Sequence, residues 1–189
     1  MNPVSPNAAL IVIDVQKAWD DPRWGRRNNP DAERNIASLL AAWRASKRPV
    51  FFVRHDSRFT GSPLHPSSPG NAIKDVVAPL PSEAVIGKNV NSAFIGTDLE
   101  ARMRRARVDQ AVVVGLTTAH CVSTTARMAG NLGFDTVVVS DAAAAFEWKG
   151  HDGRTVSPDD VHYHALASIH GEFANVVPTA EVLSALAPA

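Results

Sequence analysis

The sequence predicts an α/β fold of three αβα layers, a mainly parallel six-stranded sheet with helices on both faces. Three observations predict it. Short runs of apolar, β-branched residues recur along the chain, as in strands covered on both faces. Segments with apolar residues at the helical period separate them. The intervals between runs are short, which favours right-handed strand–helix–strand units.

Ala8-Ala9-Leu10-Ile11-Val12-Ile13 is the first such run and ends in Asp14-Val15-Gln16. A polar loop containing Trp19 and Trp24 leads to Asn29-Pro30-Asp31, where a helix starts with Pro30 in its first turn. Ile36, Leu39, Leu40 and Trp43 keep its period to about Ser46. Pro49-Val50-Phe51-Phe52-Val53 is the second strand and ends at Arg54-His55-Asp56-Ser57. Residues 58–82 are rich in Pro, Ser and Gly and show neither period, and irregular stretches of that length are usually functional. Val85-Ile86-Gly87 is a short strand that stops at Lys88; Asn91-Ser92-Ala93-Phe94 follows, and Thr97 caps a helix over Asp98–Arg107. Val112-Val113-Val114 is the fourth strand, broken by Gly115. The polar turn Leu116–His120 then leads to Cys121, from which the residues read as a helix with Val122, Ala126 and Ala129 on one side and Gly133 as its stop. Thr136–Ser140 is the fifth strand, ending at Asp141 in an Ala-rich segment. Ser157-Pro158 opens a helix to about His170, Ala174–Val177 is the last strand, and Thr179–Leu186 is a closing helix. No repeat or linker interrupts the series, so the expectation is one Rossmann-like domain over residues 1–189.

Lys and Arg number 19 against 19 Asp and Glu, a formal net charge of zero, and no basic run occurs. A nucleic-acid or membrane-surface role therefore lacks electrostatic support. Arg102-Met103-Arg104-Arg105-Ala106-Arg107 has helical spacing and reads as a solvated helix face. A single cysteine makes no internal disulfide, and a reducing compartment is the default. The first ten residues, MNPVSPNAAL, lack the charged and apolar regions of a leader, and no apolar run approaches the roughly 18 residues of a membrane span. These features predict a soluble, cytoplasmic protein acting on a small molecule.

In such sheets ligands bind beyond the carboxyl ends of the strands. Asp14 ends strand one, Lys88 follows strand three and Cys121 follows strand four, so a carboxylate, an ammonium and a thiol converge on one rim. Cys121 falls where a strand turns into a helix. Unpaired backbone N–H groups and the helix dipole there stabilise a thiolate and can hold an oxyanion. On position alone, Cys121 serves equally well as a small buried apolar residue.

The stretches IVIDVQ, GKNVNSAF and VVGLTTAHCVSTTARMAGNLGFDTVVVSDA together resemble the isochorismatase-like cysteine hydrolases, over Leu10 to about Val182. The resemblance implies a catalytic triad of Asp14, Lys88 and Cys121. It also implies a cis peptide at Leu116–Thr117, an oxyanion hole from the N–H groups of Thr117 and Cys121, and a homodimer or homotetramer. In that reading Asp14 takes the thiol proton, Lys88 and the helix start lower the thiol pKa, and the thiolate attacks an amide-type carbonyl to give a thioester. Nicotinamidases of this superfamily bind a metal through Asp-x-His after strand two. Arg54-His55-Asp56-Ser57 departs from that pattern, so no metal and no cofactor is expected. True isochorismatases cleave a vinyl ether and need not have the cysteine, so Cys121 favours C–N hydrolysis. An ether hydrolase and a non-catalytic binding protein of the same fold are the alternatives.

Candidates for the substrate pocket are Trp19, Trp24, His55, Phe94 and His120, the aromatic rings offering an apolar wall to a planar substrate. Gln16 reads as a structural bridge and Ser92 as a tie within its turn. His162 and His164, two apart, do not share a helix face and, with His151, do not read as a zinc site. Residues 58–82 fit a lid or an intersubunit loop. Specificity is expected to depend on Trp24, residues 55–70 and Phe146-Glu147-Trp148.

Overall fold

In the computed structural model, which describes residues 4–186, the apolar runs form β1 (Ala8–Ile13), β2 (Val50–His55), β3 (Ala84–Lys88), β4 (Gln110–Leu116), β5 (Asp135–Ala144) and β8 (Asn175–Val177). A small hairpin, β6 (Trp148–Lys149) and β7 (Thr155–Val156), lies between the last two. The six strands are parallel, in the order β3-β2-β1-β4-β5-β8. The chain therefore winds outward from β1 in one direction and from β4 in the other, and the switch point lies between these two fully buried central strands. Met1 to Pro3, the start of the stretch read as lacking a leader, lie outside the described residues.

Alternation along β1 feeds two cores. Leu10 and Val12 pack with Ile36, Leu39, Leu40 and Trp43 of α1 (Ala32–Ala45) and with Val182 of α5 (Thr179–Leu186). Ala9, Ile11 and Ile13 pack on the other face with Leu99 and Met103 of α2 (Leu99–Arg105), Ala126 and Ala129 of α3 (Ser123–Asn131) and Leu166 of α4 (Pro158–Ala167). Burying each large aliphatic side chain contributes about 1.5–3 kcal/mol. The indole N–H of the buried Trp43 donates to the Ala8 main-chain oxygen over 3.1 Å, so no polar group is stranded there.

Several element ends differ from expectation for local reasons. α1 begins after Asp31, leaving Pro30 outside it, because Asn29 turns with a positive φ of 43° and its amide donates to Ser140 and Ala143 oxygens of β5. α2 stops before Arg107, whose φ is 56°. Helix α4 ends at Ala167 instead of near His170, while Ser157 caps its start and Pro158 holds its first position. β5 continues past Asp141 to Ala144. Val113 pairs with Val138 but Gly115 with Ala143, a bulge that lets the strand rejoin the sheet and carry Phe146 toward its carboxyl edge.

Residues 58–82 are irregular apart from short turns at Pro69–Asn71 and Asp75–Val77. They are tied to the body through Gln16, bridged to Ile73, and through Lys74, paired with Glu33 at 2.8 Å. Among the described residues no helix is long and apolar enough to cross a membrane.

Candidate active site

Parallel register brings the polar strand ends together. Ile13 pairs with Val53 on one side and Gly115 on the other, and His55 pairs with Lys88. Gly115 is required at this point: its φ is 125°, and a Cβ there would lie 2.0 Å from the Ile13 carbonyl oxygen. That approach sets the turn before Cys121 against Asp14, whose own φ is 50°.

Asp14, Lys88 and Cys121 meet as a buried cluster. The Lys88 ammonium donates to Asp14 Oδ2 over 2.6 Å and to Cys121 Sγ over 3.3 Å, and both charged side chains are fully buried. Asp14 Oδ1 is buried without a hydrogen-bond partner among the described residues. A carboxylate oxygen of Asp14, a ring nitrogen of His55 and Cys121 Sγ lie within 4.8 Å of one another, a donor set of the kind that binds transition metals. Lys88 donates to all three side chains, so a cation already sits where those donors converge, and the residues do not fit a resident metal.

The electrostatics correct one expectation. Burial, with the Asp14 charge adding to it, outweighs Lys88 and pushes the Cys121 thiol up to about 12, where a lowered value was expected. Burial also raises Asp14 to about 6, against the pull of Lys88. At neutral pH the proton therefore rests on sulfur and the carboxylate is ionised. The expected helix start is also modified. Thr118–Val122 forms a wide π-turn, the N–H groups of His120 and Val122 both reach the Thr117 oxygen, and regular helix begins at Ser123. Leu116–Thr117 is a cis peptide.

Beside this turn lies a cleft of about 260 Å³, lined by Trp19, Trp24, Thr117, His120, Phe146 and Trp148 among others. The ring centroids of Trp19 and Trp24 are 4.9 Å apart, and Trp19 stacks on Phe146 at 5.7 Å. His120 lies on Trp148 with centroids 4.7 Å apart, and burial holds its imidazole below the usual range. Phe94 is not brought here. It is buried in the core and stacked on Phe134 at 6.2 Å, with its N–H held by the Ser92 hydroxyl. Gln16 acts as the bridge its position suggested, donating to the oxygens of His55 and Asn71 and accepting from the His55 N–H. His162 accepts or donates to Thr118 Oγ1 at 2.8 Å, bracing the π-turn from α4. Sequence reasoning overlooked Asn71, whose buried amide donates to His55, Asp56 and Leu64. Nothing in an irregular Pro- and Ser-rich stretch distinguishes one asparagine as a clamp.

The family model for the isochorismatase domain matches residues 8–181. The isochorismatase family protein YrdC of Bacillus subtilis (strain 168) is 46% identical over 93% of this chain and 94% of its own. A solved structure of an isochorismatase-family protein from Chromobacterium violaceum ATCC 12472 superposes with a TM-score of 0.94 at 44% identity, covering 98% of both chains. A cysteine hydrolase from Pseudomonas syringae pv. phaseolicola 1448A does so with a TM-score of 0.89 at 29% identity, over 98% of this chain and 95% of that one. Similarity extends to streptothricin hydrolase of Streptomyces noursei (30% identical, 95% of this chain, 65% of that one) and N-carbamoylsarcosine amidase of an Arthrobacter species (32%, 69% and 56%). It also reaches nicotinamidase 3 of Arabidopsis thaliana (28%, 80% of each chain). By the family model, by sequence identity and by structural superposition alike, this chain belongs to the isochorismatase family of hydrolases.

Proposed function

We propose that the chain is a cysteine hydrolase that cleaves a C–N bond in a small amide, ureide or related compound through a thioester. The observation that carries this reading is the Lys88 ammonium held between Asp14 and Cys121, with Asp14 Oδ1 left free to take a proton. Because the resting thiol holds its proton, the thiolate forms as attack begins. Asp14 removes the proton while sulfur adds to the carbonyl carbon, and Lys88 stays beside both groups. The N–H groups of Thr117 and Cys121 hold the oxyanion. The tetrahedral species collapses when Asp14 returns the proton to the departing nitrogen, and ammonia or an amine leaves. Water, with Asp14 again as base, cleaves the thioester and restores the thiol. A carboxyl near 6 suits a group that serves as base and then as acid at neutral pH. The Trp19, Trp24 and Phe146 rings present an apolar wall to a flat substrate. The amidase names among the relatives support the same bond type.

The test is release of ammonia or amine from a panel of small amides and ureides, wild type beside Cys121→Ala. Turnover abolished in the variant supports thiol-based C–N hydrolysis. Turnover of isochorismate that survives Cys121→Ala overturns it in favour of an ether hydrolase, and silence on every substrate favours a binding role.

A further inference from the structure

We propose that His55 is a positioning residue for the triad: its Nδ1 accepts the third N–H of the Lys88 ammonium, and so fixes the charge that faces Cys121. This rests on the role proposed above for Asp14, Lys88 and Cys121, and it moves His55 out of the substrate wall.

An ammonium has three donors. Those of Lys88 are directed at Asp14 Oδ2 (2.6 Å), His55 Nδ1 (3.1 Å) and Cys121 Sγ (3.3 Å), which uses all three. For His55 Nδ1 to accept, its ring must be neutral. Burial, together with the Lys88 charge and against the pull of Asp56, lowers the imidazole to about 4, so it is neutral throughout the range in which Asp14 is ionised. The groups facing the ring are Lys88, Asp56, Asp14 and Cys121; Asp56 is itself occupied by Arg54 at 2.9 Å and by the Asn71 amide at 3.0 Å. His55 is also held in place by its main chain. Its N–H donates to Gln16 Oε1, and its carbonyl oxygen accepts from both Gln16 Nε2 and Asn71 Nδ2, at 2.9–3.0 Å. Gln16 and Asn71 are both buried. His55 is absent from the walls of the aromatic cleft. Two consequences follow from the filled donor set. Lys88 has no N–H left for a substrate carbonyl, which leaves oxyanion stabilisation to the backbone. Removing the His55 acceptor strands a buried ammonium N–H, which the side chain relieves by turning away from sulfur.

Cys121 is the only cysteine, so iodoacetamide labelling reports on it alone and needs no substrate. The experiment compares alkylation rate against pH for wild type, His55→Asn and His55→Leu, with melting temperature recorded for each. Asn places an acceptor oxygen near the position of Nδ1; Leu places none. We expect alkylation of folded His55→Leu to be slowed roughly tenfold or more at a given pH, as for a lost hydrogen bond to a charged group. The profile should be displaced to higher pH, and His55→Asn should stay within about threefold of wild type. In a Lys88→Met background, His55→Leu should add almost nothing, because the two act through one contact. A wild-type profile in folded His55→Leu overturns the proposal, as does a His55→Asn variant as slow as His55→Leu. Should His55→Leu fail to fold, the His55→Asn profile and its dependence on Lys88 decide the matter: a large shift in His55→Asn that persists in Lys88→Met sinks it. A chain without amidase activity but with these alkylation profiles would remove the proposed function and leave the positioning role standing.

Discussion

The indole N–H of Trp19 donates to the main-chain oxygen of Asp14 over 2.6 Å, and the same ring forms a wall of the aromatic cleft by stacking on Phe146. The residue that shapes the cleft thus also holds the backbone of the buried acid, in a segment where Asp14 adopts a positive φ of 50°. In the function proposed above, this couples substrate contact and base position through one side chain.

That coupling separates the two tryptophans. Trp24 also lines the cleft, but its N–H goes to the Ala18 oxygen and not to Asp14. Trp24→Ala should raise KM roughly 10–100-fold, with kcat little changed, through lost aromatic contact. Trp19→Phe keeps a ring but removes the hydrogen bond, and should lower kcat more than it raises KM. Steady-state kinetics on a substrate identified from the amide panel distinguish the two patterns, and equal effects of both variants on kcat would break the argument.

Activity should follow the ionisation of Asp14. Burial raises its carboxyl to about 6, and only the ionised form can take the thiol proton. kcat/KM should therefore be constant above that value and fall about tenfold for each pH unit below it. His55 titrates lower, near 4, and contributes only at the acid extreme. Asp14→Asn should lose about 10²–10⁴-fold at pH 7.5 and show no inflection near 6. A wild-type profile whose acid limb lies at the ordinary carboxylate value would show that the buried acid is not the base.

Gly115 has no tolerated replacement. The Cβ of alanine would meet the Ile13 oxygen at 2.0 Å, at a φ of 125° that side chains rarely adopt. Gly115→Ala should destabilise the fold by about 3 kcal/mol or more, which for a chain of this size lowers the melting temperature by roughly 6–12 °C. Calorimetry or thermal circular dichroism measures this directly. A melting temperature equal to wild type would mean that β1 and β4 separate here without penalty.

Much of the fold was legible because its signals are local. Val112–Val114 is β-branched and bounded by Gly115, and Leu10–Ile13 is apolar up to Asp14, so strand identity and the polar strand ends can be read within a few residues. Once the strands are taken as parallel, Asp14, Lys88 and Cys121 must share an edge, and they do. Gln16 was legible for a similar reason, since a polar residue just past a buried strand end needs partners, and it finds them in His55 and Asn71.

What the tertiary structure alone decided depends on neighbours that are distant in sequence. Phe94 and Phe146 are both aromatic residues after strand ends, yet Phe94 turns into the core against Phe134, while the β5 bulge carries Phe146 to the cleft. The partner of His55 became visible only through its pairing with Lys88 on the next strand. The position of the proton follows the same rule. Sequence suggested a thiolate from a helix start and a lysine, which are local and pairwise influences. Desolvation is summed over every group packed around an atom, and around Cys121 and Asp14 that sum leaves the proton on sulfur and the charge on the acid. Residue pattern along the chain therefore determined which groups meet; the packing around them determined their charge states, their partners and the shape of the space beside them.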